Sequence, residues 1–403
     1  MAAIKYWLWL ATMPGVSNRI KLNLLEHFDN DPEDIYYGER EEYLLVEGMT
    51  KPAAEALGNK SMRTADRVLG DCERMGLRIV TIRDSEYPGR LSNIYDPPVL
   101  LYVQGRMPQF DEEVAIAMVG TRRPSPYGLE MSEKLAFQLA GLGAVVVSGL
   151  AAGGDAAAHR GALRAGGLTV GVIGGGHDIV YPRESRYLYE DLAVRGAILS
   201  EYPPGTEHMG SHFPVRNRII SGLCLATVVV EAPEASGTLI TADRALEQGR
   251  DVFALPGQVG DWHCTGSNLL LRDGAGVVTD AWDILSHYVD RFPHKIRNVR
   301  VKTPKRYGGG SSEEKEKPEK PAAAEKEKEP KLPLLDLTGN HGLTDDQIRV
   351  VKALRGRTLQ VDDLIEETQL PTRRVLSALT ILEIDKIVTQ SGGKRFALAV
   401  TLK

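Results

Sequence analysis

A chain of 403 residues that is 42% hydrophobic can bury a large core, and its length suggests two or three domains rather than one. Its three cysteines, Cys72, Cys224 and Cys264, are spaced neither as a disulfide framework nor as a zinc ligand set, so a reducing compartment and no metal are expected. A net charge of −5 makes any basic binding surface a local one, and the opening MAAIKYWLWLATMPG has neither the length of a membrane span nor the layout of a cleavable leader; a cytoplasmic protein without a membrane partner is expected.

In chain order, residues 1–65 read as helices broken at MPGVSNR (13–19) and VEGMTKP (46–52). Each break offers a glycine for a tight turn and a Ser or Thr to cap the next helix. That is the pattern of a helix-hairpin-helix turn, whose outward amides can meet a phosphate, and equally of an ordinary capped bundle. PVLLYVQG (98–105) reads as a strand. Seven further strand-like runs follow, with helical segments between them: VAIAMVG (114–120), AVVVSG (144–149), TVGVIGG (169–175), AILSE (197–201), ATVVVEA (226–232), DVFALPG (251–257) and GVVTD (276–280). Runs apolar on both faces predict an α/β fold with a Rossmann-like, mostly parallel sheet core. Ligands of such sheets bind beyond the carboxyl ends of the strands.

Four glycine-bearing loops fall at those ends. In GTRRPSPYG (120–128), Gly120 permits close backbone approach, Thr121 and Ser125 are hydroxyl donors, and Arg122 or Arg123 offers a fork for a phosphodiester. SGLAAGGDAAAHRGAL (148–163), FPVRNRIISGL (213–223) with Arg216, Asn217 and Arg218, and EAPEASGTLITA (231–242) with Ser236, Gly237 and Thr238 are the others. Tight turns explain any one of them; four, with arginines among them, predict a continuous anion-binding face. ATP hydrolysis at a Walker loop is excluded, because Asp155 stands where that motif needs Lys. No dinucleotide fingerprint is present either. ASGTLIT is similar to the phosphate loop of Rossmann-like nucleotide phosphoribohydrolases, but Thr241 replaces the acid. His159 and Asp155, one helical turn apart, fit a catalytic pair or a buried structural group. Cys264 beside His263 lacks a third ligand. No catalytic residue, metal or cofactor is therefore assigned.

Taken together, GTRRPSPYG, SGLAAGGDAAAH, GGGHDIVYP, SEYPPG, FPVRNRIISGL, EAPEASGTLITA and GSNLLLRDGA resemble the DNA-processing protein A (DprA/Smf) family, in order over about 87–283. The helical N-terminal block is similar to the sterile-alpha-motif-like domain of many members. The resemblance implies a single-stranded-DNA-binding protein that dimerises through its Rossmann-like domain. It also implies loading of the RecA recombinase onto incoming DNA in natural transformation and relief of inhibition by single-strand-binding protein. Carried over by position, the phosphate pocket is Gly120, Thr121, Arg122, Ser125 and Tyr127, with Ser148 and Gly149 beside it and Arg183 as a further basic contact. Arg216, Asn217, Arg218, Ser236, Gly237 and Thr238 complete the groove, and Tyr127 or Phe213 stacks a base. The chain departs from the family at Gly153-Gly154-Asp155, usually Gly-Ile-Asp, and at Ala152, where a basic residue is common.

Beyond the sheet, 291–306 is basic without an acidic residue, fitting an extension of the DNA path or a solvated tail. Residues 308–331 hold too little apolar surface to fold and read as a disordered tether. Then come three helices, the first with a Thr344/Gln347 capping box, and a hairpin turning at Gly392-Gly393. This resembles the winged-helix domain that some family members add. Arg373, Arg374, Lys394 and Arg395 are its candidate phosphate contacts, although the acidic helix 361–369 equally fits a protein-interaction module. The expected domains are thus 1–65, 66–290, a linker 291–340 and 341–403. A Rossmann-like nucleotide hydrolase and a nucleotide-sensing DNA-binding regulator are the alternative functions.

Overall fold

The computed structural model describes residues 2–297, 334–335, 343–355, 357–385, 387–391 and 395–402. They belong to two compact units, Met1–Pro304 and Lys305–Lys403.

The first unit opens with helices α1 (Ala2–Thr12), α2 (Asn18–His27), α3 (Pro32–Tyr37), α4 (Arg40–Tyr43), α5 (Lys51–Leu57) and α6 (Arg63–Met75). Both expected turns form. Gly15 and Gly48 take left-handed φ of 75° and 74°, and the Ser17 and Thr50 hydroxyls accept from the amides of Ile20 and Ala53. Helix α6 runs unbroken through position 65/66, and its Val68 and Cys72 pack into the same core as Trp7, Leu8 and Leu24. Leu100 and Tyr102 join that core, so the helical block is seated on one edge of the sheet.

The strands are β1 (Arg78–Thr81), β2 (Leu100–Gly105), β3 (Ala115–Val119), β4 (Val145–Ser148), β5 (Thr169–Ile173), β6 (Ala197–Ser200), β7 (Ala226–Val229), β8 (Asp251–Ala254) and β9 (Gly276–Val277). Between them lie α7 (Gly89–Ser92), α8 (Pro126–Gly141), α9 (Gly154–Arg164), α10 (Arg186–Arg195), α11 (His212–Leu223), α12 (Gly237–Glu247), α13 (Thr265–Arg272) and α14 (Trp282–Leu285). They form one sheet in the order β1-β2-β6-β5-β4-β3-β7-β8-β9. β6 through β9 pair in parallel, whereas β1 and β2 are antiparallel additions beyond β6. Side chains alternate in β3: Ala115, Ala117 and Val119 enter one core, and Ile116 and Met118 the other. Both faces are covered, as the doubly apolar runs required. The chain leaves β3 toward β4 on one side and reaches β7 on the other, so the topological switch point lies at the carboxyl end of β3.

In the second unit β10 (Leu334–Leu335) pairs with β14 (Thr401–Leu402), and α15 (Asp345–Ala353), α16 (Val361–Thr368) and α17 (Thr372–Ile384) surround a core containing Val350, Leu364, Val375 and Leu382. A sheet of β11 (Leu359–Gln360), β13 (Arg395–Leu398) and β12 (Val388–Ser391) completes a winged helix. The Thr344/Gln347 capping box is present. The expected tether lies outside the described residues, as do Gly392 and Gly393. Among the described residues no helix is long and apolar enough to cross a membrane.

Candidate nucleic-acid interface

A cleft of about 440 Å³ opens at the switch point. Gly120, Thr121, Arg122 and Arg123 enter it after β3, Ala151 and Asp155 after β4, Phe213, Arg216 and Asn217 from α11, and Ser236, Gly237 and Thr238 from the start of α12. The loops are sealed together by glycines. Gly153 sits at φ 81°, where a Cβ would stand 2.6 Å from the Thr121 carbonyl oxygen. The Gly154 amide donates to that oxygen at 3.2 Å, and a Cβ on Gly154 would meet the Cα of Gly120 at 3.0 Å. A Cβ on Gly120 would in turn meet the Cα of Gly154 at 3.3 Å, so the two loops touch through their glycines.

At the start of α9, where a nucleotide-binding loop would cradle a phosphate, the protein supplies its own anion. The buried Asp155 carboxylate accepts from the amides of Gly149, Gly120 and Ala151 and faces Arg216; burial raises its pKa against those partners. Arg216 is itself 4% exposed, with Nη1 donating to the carbonyls of Gly149 at 2.7 Å and of Val172. Burial lowers it to about 10, so it stays charged at neutral pH. It braces the ends of β4 and β5 and adds charge to the cleft wall. Arg122 and Arg123 are exposed cations there, and the Arg122 guanidinium lies 4.6 Å from the Phe213 ring centroid. Phe213 tilts against Tyr181 at 5.6 Å, and Tyr181 stacks on His208 at 5.5 Å, so an aromatic surface lies beside the basic one. Ser236 caps α12 by accepting from the Thr238 amide, and the partial positive charge of that helix end faces the cleft.

Residues 78–289, more than half of the chain, match the family model for DNA recombination-mediator protein A. The chain belongs to this family. Residues 317–394 match the DprA winged helix domain. The chain is 37% identical to the DNA processing protein DprA of Streptococcus pneumoniae over 288 residues, covering 72% of this chain and 99% of that one. It is 42% identical to the DNA processing protein DprA of Bacillus subtilis over 225 residues, 56% of this chain and 76% of that one. The X-ray structure of the S. pneumoniae protein matches with a TM-score of 0.63 at 37% identity, over 70% of this chain and 97% of that chain. Membership in the DprA/Smf family, a Rossmann-like core and a winged helix agree with the reading of the motifs, and DNA processing or recombination mediation is the family's business.

Several residues carried over from the family pattern are not part of the cleft of this DprA-family chain. Arg218 is the plainest case. It is 6% exposed, its Nη1 and Nη2 close on Glu201 at 2.9 and 2.7 Å, and its Nε donates to the carbonyl and carboxylate of Asp96 at 2.7 and 3.1 Å. Those bonds spend the fork that a phosphate would need. Ser148 is buried with Oγ donating to the Met118 carbonyl, and the Gly149 amide is taken by Asp155. Ser125 caps α8 and binds Glu231 through its amide at 2.9 Å and its hydroxyl at 2.5 Å. Tyr127 donates to the Pro256 carbonyl at 3.1 Å. Arg183 is exposed on the turn after Tyr181-Pro182, outside the cleft walls, and Ala152 is exposed beside them.

His159 is a structural group. Thr169 Oγ1 donates to the Val146 carbonyl, so it accepts from His159 Nδ1 at 2.8 Å, and burial pushes the imidazole down to about 3. A ring held neutral in this way is no acid for hydrolysis. Burial pushes the Cys264 thiol up to about 11 with Glu231 beside it, and among the described residues no cluster of His, Cys, Asp or Glu fits a metal. Thr241 and Trp262 also line the cleft. Trp262 opens a short 3-10 helix, Trp262–Cys264, after β8, and nothing in its own stretch of sequence marked it. In the winged helix, Arg374 makes a bidentate pair with Asp346 at 2.7 Å through both nitrogens, while Arg373 is exposed. Arg395 lies on β13 and Lys394 lies outside the described residues.

Proposed function

We propose that the protein binds single-stranded DNA in the cleft at the carboxyl end of β3 and acts by binding, without turnover. The observation that carries this reading is the exposed Arg122 guanidinium resting on Phe213 opposite the start of α12, in an open groove with aromatic surface on one side. A sequence-blind single-strand binder needs that combination of phosphate charge and stacking surface. Asp155 supports it over a nucleotide-hydrolysing reading, because the place a triphosphate would need is already filled by a carboxylate. Arg122→Ala is expected to weaken binding of a labelled oligo-dT, read by fluorescence anisotropy. It should also reduce the slope of log affinity against log salt by roughly 0.7 while the fold persists. An unchanged affinity and slope would remove Arg122 from the interface.

On the same reading, the DNA-bound protein acts as a homodimer in the cytoplasm and hands its strand to the RecA recombinase in the presence of single-strand-binding protein. RecA filaments on strand precoated with single-strand-binding protein should form faster with the wild-type chain than without it, and Arg122→Ala should lose that gain. No acceleration by a chain that does bind DNA would sink the mediator role.

A further inference from the structure

A second groove of about 630 Å³ adjoins the cleft, and Pro214 lines both. One wall is Arg19 on α2 and Tyr95 in the loop before β2; the other is Val215 on α11 and Arg244 on α12. The Tyr95 side chain is 80% exposed. The Arg19 guanidinium stands 4.9 Å from its ring centroid, and Arg19 Nη1 donates to the Tyr95 carbonyl at 3.1 Å. A single exposed aromatic residue is ordinary on a protein surface. One held under a guanidinium, in a groove that runs into an anion-binding cleft, has the composition of a base-stacking platform. The carboxylates nearby do not oppose this. Asp96 accepts from Asn18 Nδ2 at 2.7 Å and from Arg218 Nε at 3.1 Å, so both of its oxygens are hydrogen-bonded within the wall, although it shares the Arg218 charge with Glu201. Glu247 is paired with Arg244 at 2.6 Å on an exposed helix turn, a weak bond for which a phosphate competes.

Resting on the cleft reading above, we propose that this groove is a second subsite for the same single strand, in which Tyr95 stacks a base and Arg19 holds a phosphate. The strand then runs from the loop after β3 over Pro214 onto the N-terminal helical block, which becomes part of the DNA-binding surface rather than an appendage. Of the sequence motifs, this site takes in the MPGVSNR turn, through Ser17, Asn18 and Arg19.

The test uses the full chain and two oligo-dT lengths, about four and about sixteen nucleotides, which bracket the footprint of compact single-strand modules. Tyr95→Ala is expected to weaken the longer oligonucleotide by about 5- to 100-fold, the range of one lost stacking contact, and to leave the shorter one unchanged. Tyr95→Phe should restore the longer one, since the ring and not the hydroxyl does the stacking. Arg19→Ala should lower the salt slope for the longer oligonucleotide by roughly 0.7. Unchanged binding of the longer oligonucleotide by Tyr95→Ala, while Arg122→Ala still weakens both, would overturn the subsite and spare the cleft. Equal weakening of both lengths by Tyr95→Ala would also overturn it, as a disturbance of the cleft itself. A wild-type chain that binds neither length would remove the cleft reading and this one together.

Discussion

His159 on α9 and His177 in the loop after β5 are buried as neutral rings, and their burial makes stability depend on pH. Burial pushes them down to about 3 and about 4, with His177 Nε2 bonded to the Ile198 carbonyl at 3.1 Å. In the unfolded chain both titrate near about 6.5. Between about 6.5 and 4 the unfolded state therefore binds more protons than the native one, and stability falls as pH is lowered through that window. Asp155 opposes the trend, because its raised carboxyl pKa favours the native state toward acid. The comparison that isolates the histidines is the urea midpoint at pH 7.5 and pH 5 for wild type and for His177→Asn. Wild type should lose stability on acidification, and the variant should lose less; equal losses would remove His177 from the account. At this scale the sequence offered Arg122 or Arg123 as the basic fork of a glycine loop, and both side chains are exposed there. It did not reveal that Arg216 and Arg218, printed on either side of Asn217, are buried braces. Their partners, Gly149, Val172, Glu201 and Asp96, come from β5 and from other loops, up to 122 residues away, and local pattern carries no record of them.

Helix α11 joins the cleft to the rest of the molecule. Its first turns present Phe213, Arg216 and Asn217 to the cleft, and Arg218 ties it to Glu201 after β6 and to Asp96 before β2. Asn18 of α2 reaches the same Asp96, so the brace extends into the helical block. Arg218→Ala would leave two partly buried carboxylates without their counter-charge. A loss on the order of 3 kcal/mol is expected, seen as a lower urea midpoint, whereas Arg122→Ala should shift the midpoint by no more than about 0.5 kcal/mol. Similar midpoints for the two variants would contradict the division into brace and contact. The parallel strands were legible because they are apolar runs, several of them ending in glycine, with helical segments between them. β1 was not, since Arg78–Thr81 is short, half exposed and paired only at the antiparallel margin with β2. The expected domain edge at 65/66 falls inside α6 for a related reason: the helix carries a strong polar face, RTADR, that looks like a connector until Val68 and Cys72 are seen inside the core.

Across the whole molecule, the fold follows from composition and periodicity, and the location of the cleft follows from topology. The chain order reverses at β3, and that is where the four glycine loops predicted from sequence supply a common opening. What the sequence could not supply was the division of labour within that opening: Asp155 as an internal anion, Arg216 as a wall, Arg122 on Phe213 as the exposed hand. The winged helix was legible from its capping box and helix lengths, while the fate of Arg374 depended on Asp346, 28 residues away. The measurement that tests the central claim most directly is anisotropy of labelled oligo-dT across a salt series, with matched duplex and ATP as competitors. Salt-steep binding that prefers the single strand and ignores ATP is the predicted result. Absence of single-strand binding, or displacement of the strand by ATP, would contradict it.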